Sequence, residues 1–170
     1  MRIRMYYPAL LGLAMLVATL SASGLNGQST TSADREALAA VVQELDAAYN
    51  AQDAARFSAV FAEDSNFQFP IEGIMLRGRN EIRQHFARQF ATHPPLRHVT
   101  TTGDIDVIRP GILAVDIQVD IQSVDPKTRA AQTLFHYDGL GLGIQTDSGW
   151  RIRLVRLYPG AKRPAAELKR

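Results

Sequence analysis

The side chains able to do chemistry in this chain of 170 residues include four histidines and five tyrosines, and there is no cysteine. His98 and His136 fall in stretches that read as strands. A histidine on a pocket-facing strand can move protons near neutral pH; the alternative for each is a hydrogen-bonded strand histidine with no part in catalysis. Tyr49 ends the first amphipathic stretch. Its hydroxyl there can donate to a bound molecule, or can sit at the surface above a part-buried ring. Arg153 and Arg156 share the last strand and, by simple alternation, point to opposite faces. Arg156, with Tyr158 nearby, is placed to anchor an acidic ligand group, unless its stem merely covers apolar surface. His85 reads as a boundary residue of a helix and His93 as a loop residue. Asp64 reads as a helix-end or turn residue. Asp116 and Asp120 lie on one strand face, which suggests paired carboxylates. The other face of that strand is solidly apolar and must be core, so both acids point outward.

Other chemistries are excluded by what is missing. The histidines have no HxH or HExxH spacing, so no metal site is expected. There is no nucleophile elbow, P-loop or dinucleotide fingerprint. The run Gly139-Leu140-Gly141-Leu142-Gly143 is a strand bend, because no helix follows to cradle a phosphate. No cofactor is expected. Without cysteine there are no disulfides, no thiol catalysis and no lipoprotein anchor. The formal charge is +2, and Arg2 and Arg4 account for all of it. The neutral remainder offers nucleic acid no electrostatic footprint.

The elements that must position these residues follow from pattern. Arg2 and Arg4, the apolar run Ala9 to Leu20 and the small residues Ser21 to Gly24 read as a signal peptide over 1–23. That run is too short for a stable membrane span, so a periplasmic or secreted protein is expected. A polar linker covers 24–33. Leu38, Val41, Val42, Leu45 and Ala48 recur at helical spacing, behind a cap at Ser32 or Asp34. Asp53 caps a second, short helix with Phe57, Val60 and Phe61 inward. Asn66 to Ile71 is a strand and Glu72-Gly73 a turn. Gly78 precedes a third helix with the stripe Ile82, Phe86 and Phe90, which His93-Pro94-Pro95 ends. The rest is strand: Leu96 to Asp106, Ile112 to Gln122, Arg129 to Ile144 and Trp150 to Tyr158, with turns at Pro110-Gly111, Asp125-Pro126 and Asp147 to Gly149. Residues 161–170 form a basic, solvated tail. Helices followed by an antiparallel meander give an α+β order.

Asn50 to Asp53, Phe61 to Asp64 and Leu76-Arg77-Gly78-Arg79 resemble the NTF2-like superfamily, and within it the SnoaL-like (SgcJ/EcaC, DUF4440-type) proteins, over residues 34–160. The resemblance implies a cone: three N-terminal helices packed on a curved, mostly antiparallel sheet around a pocket. Ketosteroid isomerases of that superfamily need an Asp base directly before a proline on the first strand, a helix-one Tyr, and a second Asp on a later strand. The matching positions here are Phe69, Leu45 and one near Phe135. None of the three can accept a proton or donate to an oxyanion, which argues against the isomerase mechanism.

The same replacements make the pocket apolar. The expected ligand is a small apolar or amphipathic molecule, held by Tyr49, Phe57, Phe61, Phe67, Phe69, Phe86, Ile117, Phe135 and Arg156, with catalysis not assured. A cyclase-, dehydratase- or isomerase-type enzyme using His136 or His98 as acid/base, with Tyr49 or Arg156 as electrophile, is the alternative. It requires two of these groups to meet at the cavity. A dimeric assembly module, a homodimer through the Asp116–Asp120 sheet face, is compatible with both.

Overall fold

The structure, a computed structural model, describes residues 32–160. The leader, nearly all of the linker and the basic tail lie outside the described residues. Helix α1 spans Ser32–Asn50 and buries Leu38, Val42, Leu45, Ala48 and Tyr49. Helix α2 spans Ala54–Ala59, and the Asp53 carboxylate accepts from the Arg56 N–H at its start, as the sequence predicts.

Strand β1 runs Phe61–Phe69, beginning five residues earlier than the alternation alone suggests. Phe61, Ala62 and Ser65 are already buried. Asp64 is therefore a strand residue, not a turn, and it pairs with Arg153 at 2.9 Å. A 3-10 turn, Pro70–Glu72, and Gly73 at φ +69° return the chain into β2, Ile74–Arg77. Helix α3 spans Gly78–Thr92. Gly78 has φ +77°, and a Cβ there would lie 3.1 Å from the Glu63 carbonyl oxygen, so both backbone angle and space call for glycine.

Strands β3 (Arg97–Arg109), β4 (Ile112–Val124), β5 (Ala131–Thr146) and β6 (Gly149–Pro159) complete one sheet in the order β2-β1-β6-β5-β4-β3. All neighbours are antiparallel except β1 and β6, which run parallel. Irregular register in each of the pairs β1–β6, β3–β4, β4–β5 and β5–β6 bends the sheet. Helices α1 and α3 pack on its concave face. The core-facing row of β4 is Leu113, Val115, Ile117, Val119 and Ile121. Opposite it, β5 offers Gly143, Gly141, Gly139, Tyr137 and Phe135. The three glycines permit close approach: a Cβ on Gly143 would sit 2.7 Å from Leu38 of α1, and one on Gly139 would sit 2.6 Å from the Arg156 carbonyl oxygen. The β5 row thus has no side chains where α1 packs and aromatic rings at its other end.

The core is aromatic. Phe57 meets Phe86 at 4.2 Å between ring centroids, and Phe67 meets Phe86 edge-on at 5.5 Å. Phe57 is 2% exposed, so Phe57→Ala is expected to cost about 3–5 kcal/mol through lost burial and an unfilled space. Urea unfolding followed by the fluorescence of Trp150, the single tryptophan, measures it. A loss under about 1 kcal/mol would show that the aromatic cluster is not the core.

Candidate active site

A cavity of about 390 Å³ lies between the helices and the concave sheet face, within the usual range for small-molecule sites. Its wall is mostly apolar. Leu45, Phe57, Phe67, Phe69, Phe86, Ile117 and Phe135 all line it, together with Tyr49 and His98. Phe69 and Leu45, the positions that matter to the isomerase comparison, are apolar lining residues here, and Phe135 stands at the rim, 52% exposed.

His98 lies on β3 and is buried. Its Nδ1 is 2.7 Å from Oδ1 of Asp46 on α1. The Thr100 N–H donates to Asp46 Oδ2 at 2.7 Å, and the Thr100 hydroxyl donates to Oδ1 at 2.6 Å. Burial raises the Asp46 carboxyl's pKa, but the hydrogen bonds from His98 and Thr100 outweigh it and hold the group below its ordinary value. An ionised carboxylate only accepts, so Nδ1 carries a proton, and in the neutral imidazole Nε2 holds the lone pair. No described group hydrogen-bonds Nε2. Asn50 fixes the strand against the helix: its side chain accepts from the His98 N–H at 2.7 Å and donates to the His98 carbonyl at 2.9 Å.

Tyr49 lies beside this pair, its ring centroid 4.6 Å from that of His98. Its hydroxyl accepts a long contact, 3.5 Å, from Gln89 on α3 and keeps its own proton free to donate. Burial raises its pKa, which keeps it a phenol. Tyr49 and His98 therefore meet at one cavity, as the enzyme alternative requires. Asp46, Thr100, Asn50 and Gln89 were not singled out by sequence. The available signal was that Asp46, Tyr49 and Asn50 stand at i, i+3 and i+4 on one helix face, bordering the apolar stripe.

Three expected site residues lie elsewhere. His136 pairs across strands with Asp120, and its Nδ1 is 2.7 Å from Asp120 Oδ1 on the outer sheet face. Register puts it on the face opposite the cavity, between Phe135 and Tyr137, which face in. Arg156 also points outward and donates to Gln68 at 2.8 Å. Arg153 does not take its place inside, because an irregularity at Arg153 in the β5–β6 register interrupts the alternation and leaves that side chain on Asp64. Phe61 is fully buried core and does not reach the cavity. Asp116 and Asp120 are outward, as expected. His85 and His93, read as a boundary and a loop residue, both border the cavity. Among the described residues no cluster of histidine and acidic groups suits a metal ion, and no helix is long and apolar enough to cross a membrane.

The SnoaL-like domain family matches residues 42–158. No curated protein matches the chain. Among solved structures, a domain of unknown function with a cystatin-like fold from Nostoc punctiforme is 22% identical, with a TM-score of 0.68 over 78% of this chain and 80% of that one. A candidate scytalone dehydratase from Novosphingobium aromaticivorans is 14% identical, with a TM-score of 0.64 over 76% of this chain and 85% of that one. A ketosteroid isomerase-like protein from Erwinia carotovora atroseptica is 13% identical, with a TM-score of 0.61 over 77% of this chain and 99% of that one. At these identities the likeness is one of fold: the NTF2-like, cystatin-like cone. With the family match covering most of the chain, this protein belongs to the SnoaL-like family.

Proposed function

We propose that the chain is exported, and that its cavity binds a small, mostly apolar molecule bearing a carbonyl group, on which His98 moves a proton. The reaction class is dehydration or isomerisation. Export rests on the leader-like N terminus. The chemistry rests on one observation: a buried histidine with one nitrogen held by a carboxylate at 2.7 Å and the other unpartnered, on the wall of an apolar cavity. A base so placed removes an acidic C–H proton from a carbonyl compound, and Tyr49 can donate to the oxygen that gains charge. The ketosteroid isomerase-like and scytalone dehydratase neighbours make the same class of reaction a natural starting point. The carboxylate base of the isomerases is replaced by Phe69, so the proton acceptor here comes from β3 instead.

Proton NMR in D₂O tests this with a panel of cyclic ketones. Ligands that bind are expected to exchange the hydrogen beside the carbonyl faster than in buffer. Ligands that bind tightly and exchange no faster than in buffer would reduce the protein to a binder.

A further inference from the structure

Two groups of lining residues stand on different parts of the cavity wall. Tyr49 and His98 form the first. The second lies across the sheet. His98 of β3 is opposite Ile121 of β4, which is opposite Phe135 of β5; Thr100, Val119 and Tyr137 form the next row. Phe135 and Tyr137 therefore stand two strand spacings from His98, about 10 Å.

This second set is an aromatic corner with a charge. The Phe69 and Tyr137 rings meet nearly perpendicular, at 77° and 4.7 Å between centroids. Phe135 stacks parallel to Tyr137 at 6.3 Å and is half exposed. Glu72, in the turn just after Phe69, lines the same cavity. Among the described residues that line the cavity it is the one carboxylic acid, and no lysine or arginine joins it. Glu72 lies close enough to act on Tyr137: burial, then the negative Glu72, raise the Tyr137 hydroxyl. His85, also on the lining, is held toward its neutral form by burial and by Arg88.

We propose that Phe69, Tyr137, Phe135 and Glu72 form a subsite for an alkylammonium group carried by the ligand. Ring faces attract a cation through their quadrupole, and the effect grows when the cation is desolvated. A carboxylate on the same cavity wall adds charge and disfavours anionic groups. Hydrophobic burial alone would use the rings but would give Glu72 no role. The inference rests on the cavity being the ligand site proposed above, and not on the chemistry of His98. The ligand class becomes a mostly apolar molecule that carries an amine or quaternary ammonium group.

Isothermal titration with three matched probes tests it: phenylbutyl-trimethylammonium, its neutral tert-butyl isostere, and phenylpentanoate. The cation is expected to bind about tenfold more tightly than the neutral isostere, and the carboxylate most weakly. Glu72→Gln and Phe135→Ala, both at exposed positions, should each bring the ratio of cation to isostere close to one, with circular dichroism confirming the fold. His98→Gln should leave that ratio intact even where it ends proton exchange, which separates this proposal from the catalytic one. Equal affinities, no binding of the cation, or a preference that survives both substitutions would overturn it.

Discussion

Replacing His98 with glutamine is expected to slow exchange at the carbonyl-adjacent carbon by about 10²–10⁴-fold, the usual contribution of a positioned acid or base, with little change in ligand affinity. Glutamine fills much of the space of the imidazole and keeps a polar amide at the position of Nε2, but it has no basic lone pair to offer the ligand. The wall of the cavity is mostly apolar, and its volume changes little. Binding and turnover should therefore separate. A variant that loses affinity and rate together would mean that His98 positions the ligand instead of moving its proton. Full activity in the variant would exclude the histidine altogether.

Asp46→Ala carries the largest expected loss of stability among changes to the polar residues of the site. It strips partners from the His98 Nδ1–H, the Thr100 N–H and the Thr100 hydroxyl at once. The Asp46 and His98 side chains are 20% and 10% exposed, so water replaces those bonds poorly, and a cost of about 3 kcal/mol follows. Asp46→Asn, which still accepts from Thr100, should lose less. The effect depends on pH with a definite sign. The Asp46 carboxyl is held below its ordinary value of 3.8. Its stabilisation is thus complete above that value and is lost as the pH falls through the lower, folded-state value. The gap between wild type and Asp46→Ala in urea unfolding should narrow as the pH falls below about 3.8. A gap independent of acid would show that the carboxylate acts only through shape.

Local patterns made much of the fold legible. The stripe on α1, the Asp53 cap, the proline stop after α3 and the clean alternation of β4 each depend on residues close in sequence, and each appears as read. The site was harder because it is assembled across the chain. Asp46 and His98 are joined by tertiary packing, and neither neighbourhood announces the other. Asp46 alone reads as a polar residue on an amphipathic helix. His136 misled because β5 carries glycines and aromatics in place of an alternating pattern, so only its register against Asp120 reveals its face. Arg153 and Arg156 misled because alternation presumes an unbroken strand, and β6 is irregular at Arg153. Phe69 and Leu45 were legible as missing chemistry. His98 was legible as a candidate acid/base, but its contacts with Asp46 and Tyr49 were not.

The parallel pairing of β1 with β6 has a consequence for how the chain comes to be folded. Phe61 pairs with Ile152 and Phe67 with Val155, so the first strand made waits for the last. Until β6 is present, β1 has only the short β2 beside it, and one side of the aromatic core is open. Such long-range closure is slow in folding, because the entropy of a large loop is lost before its contacts form. A ribosome-bound chain lacking β6 therefore has no complete core to close around, and folding becomes an event of the finished chain.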